Sequence, residues 1–229
     1  MNKSLNNMSN DIWNNIIQNK AEIETPIAIF MMGLPASGKS TIIKYFLENQ
    51  LDSRMSDFIH VDPDIFMKIS PEYDGSSASD FNKFGVILAS RILKKINSHK
   101  FSYIYYGTGK NWKQYRTMIN KSRDLNFVTI LVNVEIDRKE AKKRSKKRSL
   151  GIGLGDNNHR LVPNNVINKI NSSLKEKHKK GKYKDPSGAF QSTENKTNYE
   201  ILKTLVDFYV YFDNNQKYGV PPKIIEIKL

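Results

Sequence analysis

The stretch IAIFMMGLPASGKSTIIKYFL, residues 27–47, constrains the fold more than any other part of the chain. The apolar run 27–32 carries no polar alternation, which is the pattern of a strand buried on both faces. From Lys39 to about Asn49 the sequence reads as a helix. Between the two, Gly33, Gly38, Lys39 and Ser40 satisfy G-x-x-x-x-G-K-[ST]. A glycine-rich turn from a buried strand into a helix presents consecutive backbone N–H groups at the positive end of that helix, an arrangement that holds phosphate oxygens. The expected cradle is Gly33, Leu34, Pro35, Ala36, Ser37, Gly38, Lys39, Ser40 and Thr41. Lys39 would reach the β and γ phosphates of ATP or GTP, and the Ser40 hydroxyl would be a ligand of Mg²⁺.

The alternation of strand and helix continues downstream. FIHVD at 58–62, YIYY at 103–106 and FVTILVNV at 127–134 read as strands, separated by helices near 80–98 and 111–124. Helices are also expected at 163–180 and from about 197 to Asp207, then strands at 208–212 and 223–227. Apolar strands alternating with helices indicate a three-layer, doubly wound α/β domain built on a mostly parallel sheet. Residues 1–25 are asparagine-rich, yet Ile12, Trp13, Ile16, Ile17 and Ala21 recur at helical spacing and predict a short helix packed on the domain. The division is therefore an N-terminal extension over 1–25 and a phosphate-loop α/β domain over 26–229.

Composition narrows the setting. There is no cysteine, so disulfides and thiolate metal sites are excluded. The first 25 residues lack an apolar signal core, and no apolar run is long enough to span a bilayer, so a soluble cytoplasmic protein with no membrane partner is expected. Lysine and arginine total 37 against 23 acidic residues, a formal charge of +14. That field attracts anions, nucleic acid among them, although it bears on steering rather than fold.

HVDPD places Asp62 and Asp64 at the carboxyl end of the second strand, the edge where open α/β sheets bind ligands. If that strand lies beside the phosphate loop, one carboxylate can take the proton of an attacking hydroxyl; the other reading is that one of the two caps the next helix. Taken in order, GLPASGKST, HVDPDIFMKISPEYD, YGTGK and HRLVPNNVI, with YFDNN near the end, resemble the zeta toxin family of P-loop kinases over roughly residues 26–215. The resemblance implies a doubly wound parallel sheet and transfer of phosphate from ATP to a hydroxyl of UDP-N-acetylglucosamine. It also implies Asp64 as the carboxylate that activates the acceptor, Asp62 flanking it, Thr108 contacting the acceptor with Lys110 beside it, and an antitoxin-like protein as a partner. One departure stands out. Tyr106 occupies the position before GTG where toxins of the family commonly carry a glutamate.

Residues 138–148 hold eight cations in eleven positions. Following the fourth strand, this segment is expected to be a helical lid over about 137–160, flexing at Gly151, Gly153 and Gly155 and bringing arginine charge to the transferring phosphoryl group. The family pattern points to Arg144 or Arg148 there, and to Arg160 in HRLVP. His60, His99, His159 and His178 have no metal-ligand spacing and read as surface or turn residues. The functional expectation is an ATP- and Mg²⁺-dependent phosphotransferase acting on a small-molecule hydroxyl such as that of a UDP-sugar. Two alternatives are a polynucleotide 5′-hydroxyl kinase and a non-catalytic ATP-binding scaffold that engages RNA or an acidic partner.

Overall fold

The computed structural model describes residues 2–18, 20–70, 72–73, 78–151, 162–178, 196–216 and 220–229. Its strands are β1 (Ile27–Gly33), β2 (Ile59–Val61), β3 (Tyr103–Tyr106), β4 (Val128–Glu135), β5 (Phe208–Asp213) and β6 (Lys223–Lys228). The helices are α1 (Asn2–Ile16), α2 (Lys39–Gln50), α3 (Pro63–Met67), α4 (Ala78–His99), α5 (Trp112–Asp124), α6 (Arg138–Ser149), α7 (Asn164–Lys175) and α8 (Asn198–Leu202). The sheet order is β2-β3-β1-β4-β5-β6. The first five strands are parallel, and β6 closes one edge antiparallel to β5.

Why β1 is apolar throughout is visible in its two faces. Ala28, Phe30 and Met32 join Tyr103 and Tyr105 of β3 in a core with residues of α1, α4 and α5. Ile29 and Met31 join Ile104, Val132 and Phe212 in a second core against Ile42, Ile43, Phe46 and Leu47 of α2. Side chains alternate across a strand, so a central strand with helices on both faces must be apolar at every position. Phe30 and Phe46 are fully buried, and truncation of such a residue costs about 3–5 kcal/mol. A third, smaller cluster packs Leu34 against Ile136, Ala141 of α6 and Ile167 and Ile170 of α7.

The N-terminal helix packs on α4 as expected, but it starts earlier than the predicted spacing and ends at Ile16, so Ile17 and Ala21 lie past it. Leu5, Ile12 and Trp13 are buried in the same core as β1, Ile16 and Ile17 lie half-buried against it, and Ala21 is exposed. The Trp13 ring lies 5.8 Å from that of Phe101, and Lys95 donates to Asn10 at 2.7 Å. Next to it, α3 and α4 approach closely. A Cβ at Gly85 would sit 2.2 Å from the carbonyl oxygen of Pro63 and 2.7 Å from Met67 Cγ, so only glycine lets α4 pass there. This contact fixes the start of α3, where both candidate carboxylates sit.

Two expectations are revised, and one condition is not met. The helix predicted over 163–180 ends at Lys175 among the described residues, and His178 pairs antiparallel with Lys196. The helix predicted to reach Asp207 stops at Leu202, because Asp207 is captured by β4: its Oδ2 accepts from Thr129 N at 2.8 Å and from Thr129 Oγ1 at 2.7 Å. Most consequential for the site, β2 does not lie beside β1, since β3 runs between them.

Candidate active site

The donor half is a compact loop. Its backbone is left-handed at Ala36 and Gly38, with φ of 61° and 86°, and Gly38 caps α2 by accepting from Thr41 N and Ile42 N, both at 3.0 Å. Leu34 anchors the loop in the third core cluster, Pro35 is half-buried, and Ser40 and Thr41 are exposed at its mouth. Ser37 is completely buried, and its Oγ has no hydrogen-bond partner among the described residues. A buried hydroxyl of this kind is a donor held ready inside the loop. Lys39 folds over the turn, its Nζ donating to the carbonyl oxygens of Gly33 at 3.1 Å and Leu34 at 2.9 Å. Desolvation lowers its pKa to about 8; Asp64 and then Asp62 oppose that shift, and Arg148 adds to it. The ammonium therefore sits in a poorly solvated place where an anion is strongly favoured.

Asp62 and Asp64 divide the labour between them. The Asp62 carboxylate caps α3 by accepting from Asp64 N at 2.8 Å, and Pro63 takes the first helical position, as suits a residue with no N–H. Asp64 is exposed one position further on. Although β2 is not adjacent to β1, α3 begins directly after that short strand, and both carboxylates act on the Lys39 ammonium. They also act on Tyr105, whose pKa burial first and then Asp62 and Asp64 push up to about 12.

Residues 107–110, which include the expected acceptor contacts Thr108 and Lys110, follow β3. Thr108 accepts from Gly33 N at 3.2 Å through its carbonyl, which ties this loop to the phosphate loop, and its Oγ1 accepts from Lys110 N at 3.3 Å. Lys110 is exposed. Tyr106 is a structural residue here. Its ring joins the α2-side core and lies stacked 5.8 Å from His60. His60 Nε2 faces the Met55 carbonyl at 3.0 Å and must donate there, so Nδ1 accepts from the Tyr106 hydroxyl at 2.9 Å. His60 is therefore half-buried and paired rather than a surface histidine, and burial lowers its pKa. His178 is likewise built into a network, donating from Nε2 to Asn198 Oδ1 at 2.7 Å.

The basic segment forms α6, and its two candidate arginines separate. Arg144 Nε donates to Glu140 at 3.0 Å, while its Nη2 reaches the carbonyls of Asn214 at 3.0 Å and Gln216 at 3.3 Å. This guanidinium is spent bracing α6 on the turn after β5. Arg148, one turn further, is half-buried and acts electrostatically on Lys39. Arg160, with Gly153, Gly155 and His159, lies outside the described residues.

Asn214 had no role assigned from sequence. Its Nδ2 donates to the Ser37 carbonyl at 2.7 Å, and a Cβ at Gly38 would lie 2.5 Å from that same nitrogen. The phosphate loop is thus held from the side by a residue 177 positions away. The only local hint was its place just past a strand, in YFDNN. Among the described residues, no three His, Cys, Asp or Glu side chains gather as a metal site, and no helix is long and apolar enough to cross a membrane.

Solved structures share this fold at low sequence identity. A chain from the PezAT chromosomal toxin-antitoxin system of Streptococcus pneumoniae superposes with a TM-score of 0.67 and 12% identity, over 99% of this chain and 81% of that one. The native AvrRxo1-ORF1:-ORF2 complex gives 0.65 and 10% identity over 97% of this chain and 69% of that one. The AvrRxo1-ORF1:-ORF2 structure with ATP gives 0.61 and 11% identity over 99% of this chain, which spans 65% of that one. No curated protein sequence matches the chain significantly. The model of the zeta toxin family matches residues 10–193. On that match, together with the sheet order and phosphate loop described above, the chain belongs to the zeta toxin family and is a phosphotransferase of the P-loop kinase type.

Proposed function

We propose that the protein transfers the γ-phosphoryl group of ATP, with Mg²⁺, to a hydroxyl of a small-molecule acceptor, with a UDP-sugar such as UDP-N-acetylglucosamine as the first candidate. The observation that carries this reading is electrostatic: Asp64, Asp62 and Arg148 all act on the Lys39 ammonium, so two carboxylates and an arginine lie within electrostatic reach of the phosphate-loop lysine. Loop and ligand fit. The left-handed turn, the unpartnered Ser37 hydroxyl and the desolvated Lys39 make a cradle for a polyphosphate.

In this mechanism Asp64 accepts the proton of the acceptor hydroxyl as its oxygen attacks the γ-phosphorus and the bond to ADP breaks. Asp62 keeps the turn carrying Asp64 in place by capping α3. Lys39 and Arg148 offset the charge spread over the transferring oxygens. The exposed Ser40 hydroxyl, with phosphate oxygens, would hold Mg²⁺, which neutralises phosphate charge when bound. Residues 137–160 serve as the lid, with Arg160 as its second arginine, and Thr108 and Lys110 face the acceptor. The N-terminal 25 residues form an extension of the one kinase domain. An antitoxin-like protein is the expected partner, in keeping with the toxin-antitoxin origin of one structural relative.

A second reading, phosphorylation of a nucleic-acid 5′-hydroxyl, is favoured by α6, where Arg138, Lys139, Lys143, Lys146 and Lys147 are all exposed. One experiment separates the two. The protein is incubated with γ-labelled ATP and Mg²⁺ against UDP-sugars, nucleosides and 5′-hydroxyl oligonucleotides, with Lys39→Ala as the blank. Label in a UDP-sugar is the expected result; label in an oligonucleotide alone replaces the acceptor. Asp64→Asn is expected to lose transfer while retaining ATP binding, and full transfer by that variant overturns the mechanism.

A further inference from the structure

Beyond the segment matched by the family model, the chain buries one asparagine with unusual completeness. Asn198 is 1% exposed, and its amide nitrogen points at the loop after β3. Its Nδ2 donates to the Gly109 carbonyl at 2.9 Å and the Lys110 carbonyl at 3.2 Å, two positions flanking the end of the loop that carries Thr108. Its Oδ1 accepts from His178 Nε2 at 2.7 Å, which settles both the amide orientation and the imidazole tautomer, because the nitrogen side is already committed to carbonyls. His178 is in turn fixed by paired backbone bonds to Lys196, at 2.8 and 3.2 Å, and by the Trp112 ring 5.6 Å away at the start of α5.

Burying an amide costs free energy unless all its groups are satisfied. Here both ends are used, and the partners lie 89 positions apart in sequence. Local structure explains where Asn198 sits: Thr197 and Glu200 form a capping box, Glu200 Oε2 accepting from Thr197 N at 2.6 Å, so Asn198 opens α8. The cap sets the position of α8. It does not require an asparagine at its first residue.

We infer that Asn198, oriented by His178, is a positioning residue that holds the acceptor loop against the phosphate loop. The loop is then fixed from two sides: Gly33 N bonds the Thr108 carbonyl on the donor side, and Asn198 bonds the Gly109 and Lys110 carbonyls on the other. The inference rests on the phosphotransferase reading for its kinetic consequence but not for its geometry. Replacement by aspartate keeps the shape and turns the donor into an acceptor that faces two carbonyls. Replacement of His178 by glutamine keeps an N–H near the Nε2 position, whereas alanine removes it.

The test uses the full chain with two readouts. Amide hydrogen exchange is followed in peptides covering 107–112 and 42–50 for wild type, Asn198→Asp, His178→Ala and His178→Gln. Exchange over 107–112 is expected to accelerate at least tenfold in Asn198→Asp and several-fold in His178→Ala, to return toward wild type in His178→Gln, and to stay unchanged over 42–50. Kinetics with UDP-N-acetylglucosamine and with a 5′-hydroxyl oligonucleotide are measured alongside. The acceptor KM is expected to rise about tenfold while the KM for ATP stays within twofold. Unchanged exchange over 107–112 overturns the inference, and so does equal acceleration in both peptides, which marks a general structural role. If the wild type phosphorylates neither probe, the acceptor assignment fails by itself, and the exchange data still decide the positioning role.

Discussion

Replacing Lys39 by methionine should abolish phosphoryl transfer and yet stabilise the protein at neutral pH. Burial lowers the Lys39 pKa from 10.5 to about 8. Where the folded pKa of a base lies below its unfolded value, the cost of keeping it charged is fully present below the folded pKa and is relieved as pH rises toward the unfolded one. With about 1.4 kcal/mol per pKa unit, the charged Lys39 costs the fold about 3 kcal/mol at pH 7 and less than about 1 kcal/mol at pH 10. The bonds to the Gly33 and Leu34 carbonyls favour the charged form, so what they contribute belongs to the same pH-dependent balance. The quantity to measure is therefore the difference in unfolding free energy between Lys39→Met and wild type. Guanidinium chloride unfolding without nucleotide at pH 7, 8, 9 and 10 supplies it. The stability advantage of the variant should shrink by about 2.5 kcal/mol across that range. A difference that is flat with pH, or one that widens, refutes the claim that Lys39 is held charged in a desolvated loop.

Other expectations follow from contacts around the same loop. Arg148→Gln should lower kcat by at least about 10²-fold with little change in melting temperature, whereas Arg144→Gln should cost about 1–3 kcal/mol in stability through the carbonyls it leaves unpaired; steady-state kinetics and thermal melts on the pair distinguish the roles, and the reverse pattern exchanges them. Tyr106→Glu, which restores the residue common in the family, should destabilise the fold by about 2 kcal/mol or more by placing a carboxyl in the core beside His60. It should yield no UDP-sugar turnover beyond wild type, and a gain in turnover would show that position 106 faces the acceptor. Gly38→Ala should cost about 1–2 kcal/mol through its left-handed backbone, and should weaken ATP binding because the new methyl displaces Asn214; an unaltered affinity in calorimetry contradicts that linkage.

How far the chain could be read in advance differs between the two halves of the site. The donor half was readable because its determinants are contiguous. A strand apolar on both faces, a turn needing glycine and a following helix occupy residues 27–50, and each is set by neighbours a few positions away. The carboxylates were readable as a pair, but the division between them depended on α3: Asp62 became the cap because α3 starts at Pro63, which leaves Asp64 exposed. The acceptor half was read less well. Tyr106 is an odd residue for a family site as long as its partner is unseen, and an ordinary core residue once His60 is found stacked on it. Arg144 and Arg148 are indistinguishable in a run of cations. They differ only because Glu140 and the turn after β5 take one of them.

The sequence by itself determined the class of the fold and the strand-turn-helix form of the phosphate loop, since hydrophobic period, glycine placement and helix start are short-range properties. The tertiary structure decided the rest: that β3 separates β2 from β1, which arginine acts on Lys39, and that two asparagines hold the site's loops. The reason is the range of the bonds. Asn214 reaches Ser37 across 177 positions and Asn198 reaches Gly109 across 89, and an isolated asparagine carries no periodicity or spacing from which such a partner could be read.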